Sequence, residues 1–246
     1  MFEPKDYLTN KTLSPDALRY HPDIGGKPQR IDPRLMVVAA AKANKDFEKQ
    51  IKRFKAWADE GMVVLWDGVL EKNKSGAFGE CLAAAYCALS KTSLVKNPHE
   101  SASPDFIPLF EGTASYIEKP TEKTYLGGGF DAKASKMSDF KFMSIKASSH
   151  HRLTTTVLVV GWGYFKGMPK ILSACFCNNL VQEDWKIGSI PKGDDSKPTS
   201  SATLLKSGLD KIRSGWVFVH QSVVLPNRKN DIEKYGINAL AVRATA

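Results

Sequence analysis

The sequence predicts an α+β fold: N-terminal helices followed by a mostly antiparallel sheet flanked by helices. Three observations predict it. Apolar residues recur at three- and four-residue steps from Leu35 to Trp57. From Asp105 onward the pattern changes to short β-rich runs separated by Gly and Pro. A second amphipathic stretch, with Leu204, Leu205, Leu209 and Ile212 on one side, returns near the end of the chain.

Residues 1–34 carry Pro4, Pro15, Pro22, Gly25, Gly26, Pro28 and Pro33 and read as an irregular arm. Pro33 suits the first position of the next helix, where its missing N–H is not needed. That helix is expected over 34–60, buried through Leu35, Val38, Ala39, Phe47, Ile51, Phe54 and Trp57, and stopped by Gly61. A short strand at 62–66 precedes an Asp67-Gly68 turn. A second helix is expected over 80–90, after Gly79. Its small apolar side chains, Cys81 to Leu89, suit a buried position. Strands follow at 106–110, 115–118, 125–134, 140–147, 154–164 and 171–177. No helix-length segment lies among them, which favours hairpins and antiparallel pairing. A polar loop over 184–201, a helix over 201–213, a strand over 216–224 and a polar tail from Pro226 complete the chain. No linker argues for two domains, so residues 1–246 are read as a single domain with a candidate catalytic core over 76–224.

The chain has 35 Lys and Arg against 26 Asp and Glu, a net charge of +9. Such an excess attracts polyanions, which makes nucleic acid the first partner to consider. The basic residues are spread along the chain, which suits a folded face better than a charged tail. Residues 1–30 contain no apolar core of a secretory signal, so the four cysteines are expected as reduced thiols in a cytoplasmic protein. No apolar run approaches the roughly 20 residues that span a bilayer, and no membrane partner is expected.

One set of residues suits phosphodiester chemistry. Hydrolysis of a phosphodiester is served by a divalent metal on hard oxygen ligands, so carboxylates from separate strands must converge. A lysine beside them can orient water or stabilise developing charge. Pro104-Asp105-Phe106 opens an apolar strand, and Asp131-Ala132-Lys133 follows on another. The side-chain period of two puts Asp131 and Lys133 on one face. Glu80 stands at the start of the expected 80–90 helix, where a carboxylate is electrostatically favoured.

This order resembles the PD-(D/E)xK nuclease superfamily, in particular type II restriction endonucleases, over about residues 76–135. The resemblance implies that Asp105 and Asp131 hold Mg²⁺, that Lys133 orients water and that Glu80 assists. It further implies cleavage of double-stranded DNA at a specific site. A homodimer would match the two-fold symmetry of a palindromic site. The sequence departs from the pattern in two ways, the first being that Gly127-Gly128-Gly129 stands before Phe130, where an apolar strand is usual. The second is that the strand ending in Lys146 has the apolar shape, with Ser144 where the acid would stand, so Lys146 is a reserve catalytic lysine. Asp139-Phe140-Lys141 is a third acid-x-Lys.

Further signals point to other readings. His150, His151 and Arg152, with Lys133, Lys136 and Lys141, form a basic cluster suited to DNA phosphates and, through Arg152, to a guanine edge. The glycine run reads as a bend where the backbone approaches something closely. A cysteine hydrolase would use Cys81 near a helix N-terminus, His151 and Asn178, because 157–164 resembles the strand after the catalytic histidine of papain-like proteases. A curved basic sheet would also suit a non-catalytic nucleic-acid-binding protein, or a metal-independent glycosylase or nuclease using His220, Tyr164 or Tyr125. Cys81 and Cys87 fall on different helix faces. Cys175 and Cys177 lack a zinc-site spacing, so both pairs are expected as core.

Overall fold

The computed structural model describes residues 2–24, 27–60, 71–90, 94–99, 103–109, 128–138, 141–142, 146–148, 156–190 and 199–224. Its first half holds β1 (Tyr7–Thr9), β2 (Arg19–Ile24), β3 (Lys27–Arg30), α1 (Pro33–Asp59), α2 (Glu71–Ser90), β4 (Leu94–Lys96) and β5 (Phe106–Pro108). β6 (Asp131–Ser138), β7 (Lys141–Phe142), β8 (Lys146–Ser148), β9 (Val157–Phe165) and β10 (Met168–Cys177) follow. The last part holds β11 (Trp185–Ile190), β12 (Thr199–Leu204), α3 (Lys206–Ser214), β13 (Trp216–His220) and the single-turn α4 (Gln221–Val224).

The main sheet has the order β1-β13-β10-β9-β6-β7, with β6 parallel to β9 and the other pairs antiparallel. The sheet is therefore mixed, which corrects the expectation of a mostly antiparallel one. A parallel pair needs a crossover, normally helical. The described elements between β6 and β9 are β7, at the edge of the same sheet, and β8, which joins β11 and β12 in a separate three-stranded sheet. The sign of a doubly covered strand was present in 157–163, which is buried without alternation.

Both faces of the sheet are covered. On one, α1 and α2 pack over Ala132, Ala134, Leu158, Val160, Trp162 and Phe176. Asp32 caps α1 by accepting the N–H groups of Arg34 (2.8 Å) and Leu35 (3.3 Å). The Tyr86 hydroxyl of α2 accepts the Asp32 N–H at 2.9 Å, which ties the two helices together. Phe78 joins them to the sheet, 4.6 Å from the Phe47 ring and stacked 4.8 Å from Trp162. On the other face, Ile212 of α3 and Trp185, Ala202 and Leu204 cover Val157, Val159 and Cys175.

Several boundaries differ from expectation. The first 34 residues carry β1, which pairs with β13, and the β2–β3 hairpin. Tyr7, Leu18, Tyr20 and Ile31 are buried. Their Pro and Gly content masked a few large apolar anchors, and the Tyr7 hydroxyl bonds Ile171 O (3.1 Å) and Asn44 Nδ2 (2.7 Å). α2 begins at Glu71, so Glu80 and Cys81 sit mid-helix. Residues 185–190 and 199–204 form a hairpin where a loop was expected, and α3 starts at Lys206 because Ala202 and Leu204 alternate inward as strand residues. β13 ends at His220. The expected strands at 62–66 and 115–118 lie outside the described residues.

Candidate active site

Asp105 immediately precedes β5, and Asp131 is the first residue of β6. Phe106 and Phe130 form an antiparallel bridge, with N–H to O distances of 3.1 and 3.0 Å. That bridge sets the two acids side by side, and their side chains then interlock. Asp131 Oδ1 accepts the Asp105 N–H at 3.0 Å and the Ser103 hydroxyl at 3.3 Å. Asp105 Oδ2 accepts the Ala132 N–H at 2.8 Å. Each carboxylate is thus oriented by the backbone of the other's strand.

The glycine run makes this approach possible. Gly129 has φ +114°, and a Cβ there would strike the Phe106 carbonyl oxygen and the Pro104 ring. Its N–H donates to Tyr20 O at 2.9 Å. Gly128, at φ +102°, lies against His21. The close backbone approach read from the sequence is present at both residues, and Gly127 lies outside the described residues.

Lys133, two residues along β6, shares the face of Asp131. Its Nζ stands 3.6 Å from Asp105 Oδ2 and 3.8 Å from Asp131 Oδ2. The Asp131 side chain is 5% exposed, that of Asp105 33% and that of Lys133 25%, so the trio opens to solvent through Asp105 and Lys133. Burial raises the Asp105 carboxyl above the usual carboxylate range. Lys133 opposes that shift, and the charge of Asp131 adds to it. The cluster is a pair of acids in partial conflict, bridged by one ammonium.

The donor set suits a hard cation. Both acids offer carboxylate oxygens, and the backbone bonds fix their orientation while leaving further lone pairs. Two protein carboxylates with waters completing the shell is a usual arrangement for Mg²⁺. A divalent charge would also offset the burial and the Asp131 charge that together raise Asp105. Among the described residues no group of three or more His, Cys, Asp or Glu side chains forms a metal cluster.

Glu80 is near this trio through an intermediary. Its carboxylate accepts from Lys96 Nζ at 2.7 Å. Lys96 pairs across β4–β5 with Phe106, next to Asp105. The Lys96 ammonium is held above its ordinary value chiefly by the Glu80 hydrogen bond and charge, with a smaller contribution from Asp105. Because α2 starts at Glu71, the helix-terminus argument for Glu80 is replaced by this ion pair. Lys96 and Ser103 were not singled out in the sequence; only the β4–β5 pairing and the bridge reveal them.

The other basic candidates among the described residues are dispersed. Lys146 lies on β8 in the three-stranded sheet, its backbone opposite Thr203. Lys141 on β7 pairs with Ser138, at the far end of β6 from Asp131. Lys136 has its Nζ 5.5 Å from the Tyr164 ring centroid, at the other end of the strand. His150, His151 and Arg152, like Asp139 and Tyr125, lie outside the described residues.

The thiol reading loses its physical basis. The Cys81 thiol is raised, first by desolvation and then by Glu80, rather than activated by a helix terminus. The Asn178 side chain donates to Asp16 O (2.8 Å) and Arg19 O (3.0 Å), securing the N-terminal segment. Cys87 is pushed up to about 12 by burial, and Cys175 and Cys177 are buried and raised by desolvation. His220 is buried, stacked 4.2 Å from Phe2, with its Nδ1 accepting the Ser222 N–H at 3.1 Å. Burial lowers it to about 4.

No protein family, curated protein or solved structure matches the chain at a significant level. No helix among the described residues is long and apolar enough to cross a membrane.

Proposed function

We propose that the protein is a Mg²⁺-dependent endonuclease that cleaves double-stranded DNA at a specific site, in the manner of the PD-(D/E)xK enzymes its sequence resembles. The observation that carries this reading is the convergence of Asp105, Asp131 and Lys133, with the lysine within 4 Å of both carboxylates. Hydrolysis forms one P–O bond to a water oxygen and breaks one P–O ester bond. When bound, Mg²⁺ would lower the pKa of a water and offset charge on the phosphate. Asp105 and Asp131 would hold it. Lys133, within 4 Å of both carboxylates, would orient an attacking water or a phosphate oxygen, and its charge would oppose the charge that builds there. The net charge of +9 favours the polyanionic substrate. A homodimer acting on a palindromic site belongs to the same proposal.

The test is incubation of the purified protein with plasmid and phage DNA, with Mg²⁺ and with EDTA, read on a gel. Discrete fragments that require Mg²⁺ are expected. Absence of cleavage by well-folded protein across the panel would overturn the nuclease reading. Cleavage that survives EDTA would overturn the metal's part in it.

A further inference from the structure

A second charged feature lies away from the acids. α1, the N-terminal residues and Lys170 enclose a cleft of about 660 Å³. Lys170 pairs with Gly163 on β9, whereas Asp131 pairs with Val157. By strand rise the two places are about 20 Å apart along β9.

Four lysines of α1 line the cleft: Lys42, Lys45, Lys49 and Lys52. Their three- and four-residue steps put them on one helix face, as a row about 15 Å long. Lys170 makes a fifth. It is 6% exposed, bonds Glu48 at 2.8 Å and lies 5.2 Å from the Phe2 ring centroid. Asp46 takes Lys42 at 2.7 Å, and Glu48 takes Lys52 at 2.9 Å as well as Lys170. Hydrogen bonds from Lys170 and Lys52 hold the Glu48 carboxylate down at about 2, so these pairs persist at neutral pH. Lys45 and Lys49 are exposed and carry no ion pair among the described residues. Counting Glu3 with Asp46 and Glu48, five lysines face three carboxylates, an excess of two positive charges.

The shape of this excess indicates its ligand. A compact anion is held by donors converging on one point. These charges are strung along a helix, which suits a linear polyanion. Phosphates of a DNA strand advance about 3.4 Å each along the duplex axis, so a 15 Å row faces about four. The exposed Val38 and the Pro4 ring add an apolar wall beside the row.

We propose that this cleft is a second nucleic-acid contact, in which Lys45 and Lys49, flanked by Lys42 and Lys52, track the phosphates of a DNA strand remote from Asp105 and Asp131. The inference takes the identity of the polyanion from the nuclease reading; the site itself rests on α1. Contacts of this kind position the duplex and add affinity without reading its sequence.

The test measures binding of a labelled 20-base-pair duplex by fluorescence anisotropy in EDTA, across a salt series. The variants are Lys45→Ala with Lys49→Ala, a charge-matched control of Lys11→Ala with Lys206→Ala, and Asp105→Asn. All four lysines are exposed, and thermal melts verify folding. The double α1 variant is expected to weaken binding at least tenfold and to lower the slope of log K against log salt by about two. The control is expected to keep the wild-type slope, and Asp105→Asn, which removes a negative charge from the proposed catalytic site, to bind no more weakly than the wild type. Equal losses in control and α1 variants would overturn the proposal, as would an unchanged α1 variant or a wild type that does not bind DNA. Sodium triphosphate competing as strongly per mole as the duplex would also overturn it, since the row would then be a small-anion site. Cleavage of plasmid by the same proteins separates the two readings. Binding that depends on the row without any Mg²⁺-dependent cleavage would sustain this inference and refute the nuclease.

Discussion

Lys133→Met removes the ammonium that bridges Asp105 and Asp131 while keeping most of the side-chain volume. In the native site that ammonium is 3.6 and 3.8 Å from the two carboxylates and 25% exposed. An exposed pair contributes up to about 1 kcal/mol, and breaking a fully buried pair costs about 3–5 kcal/mol. The intermediate exposure of this trio places the loss at about 2 kcal/mol, or about 4–8 °C in Tm for a chain of this size. The sign with pH follows from Asp105, whose carboxyl is already raised by burial and by Asp131. A group raised on folding binds its proton more tightly in the folded state. Stability therefore falls as pH rises from the ordinary carboxylate value to the raised one, and the penalty persists above it. Without Lys133 the Asp105 carboxyl rises further, so the variant is expected to lose most stability at pH 8 and least near pH 4. Adding Mg²⁺ at pH 8 should raise the Tm of the variant more than that of the wild type, because two unbridged carboxylates gain more from a divalent cation. Melts by circular dichroism at both pH values, with Mg²⁺ and with EDTA, check this. A variant whose Tm deficit is the same at pH 4 and pH 8, and which does not respond to Mg²⁺, would refute the electrostatic coupling and the metal fit together.

Asp105→Asn keeps the acceptor for the Ala132 N–H but removes a carboxylate raised by burial. It is expected to lower cleavage by roughly 10²–10³-fold, with a Tm in EDTA at or above that of the wild type. Gly161→Ala would drive a Cβ into Met137 and Ser173 in the core, costing about 1–3 kcal/mol in urea unfolding. Asp184 is 3% exposed and accepts from Lys211 at 2.7 Å and from the Val181 N–H at 3.0 Å. Burial opposes its charge, but these partners outweigh it and hold its pKa down. Its stabilisation is therefore present above the ordinary carboxylate value and lost as pH falls through the depressed one, so Asp184→Ala should destabilise by about 2–3 kcal/mol at pH 7 and by less at pH 2.

Helix α1 is legible from its apolar period: of the positions read from the sequence, Ala39, Phe47 and Ile51 are buried and Leu35 is half-buried, whereas Val38 is exposed because Met36, Val37, Ala40 and Ala43 take the inward places around it. The strands from β9 to β10 were legible from their composition. Their partners were not. Whether β6 runs parallel or antiparallel to β9 depends on the path of the intervening chain, and local pattern does not encode it. The β11–β12 hairpin was missed because polar, Gly- and Pro-containing segments read as loop until Trp185, Ala202 and Leu204 are seen to face α3. The start of α2 was misplaced because its first turns are polar, with Glu71, Lys72 and Lys74 preceding the apolar run.

The site was legible to the same limit. Asp131 and Lys133 share a face by the period of a strand alone, and that follows from two residue numbers. That Asp105 joins them depends on the single bridge between Phe106 and Phe130, and the bridge depends on Gly129 being a residue without a Cβ. The glycine run departs from the pattern of the nucleases the sequence resembles because it interrupts an apolar strand. In the structure it is what lets the backbone before β6 close against Pro104 and Phe106. The interruption and the acid pair are therefore one feature. A Cβ at Gly129 would push β5 away from β6, break the mutual bonds between each aspartate and the other's backbone, and separate the carboxylates that Lys133 bridges.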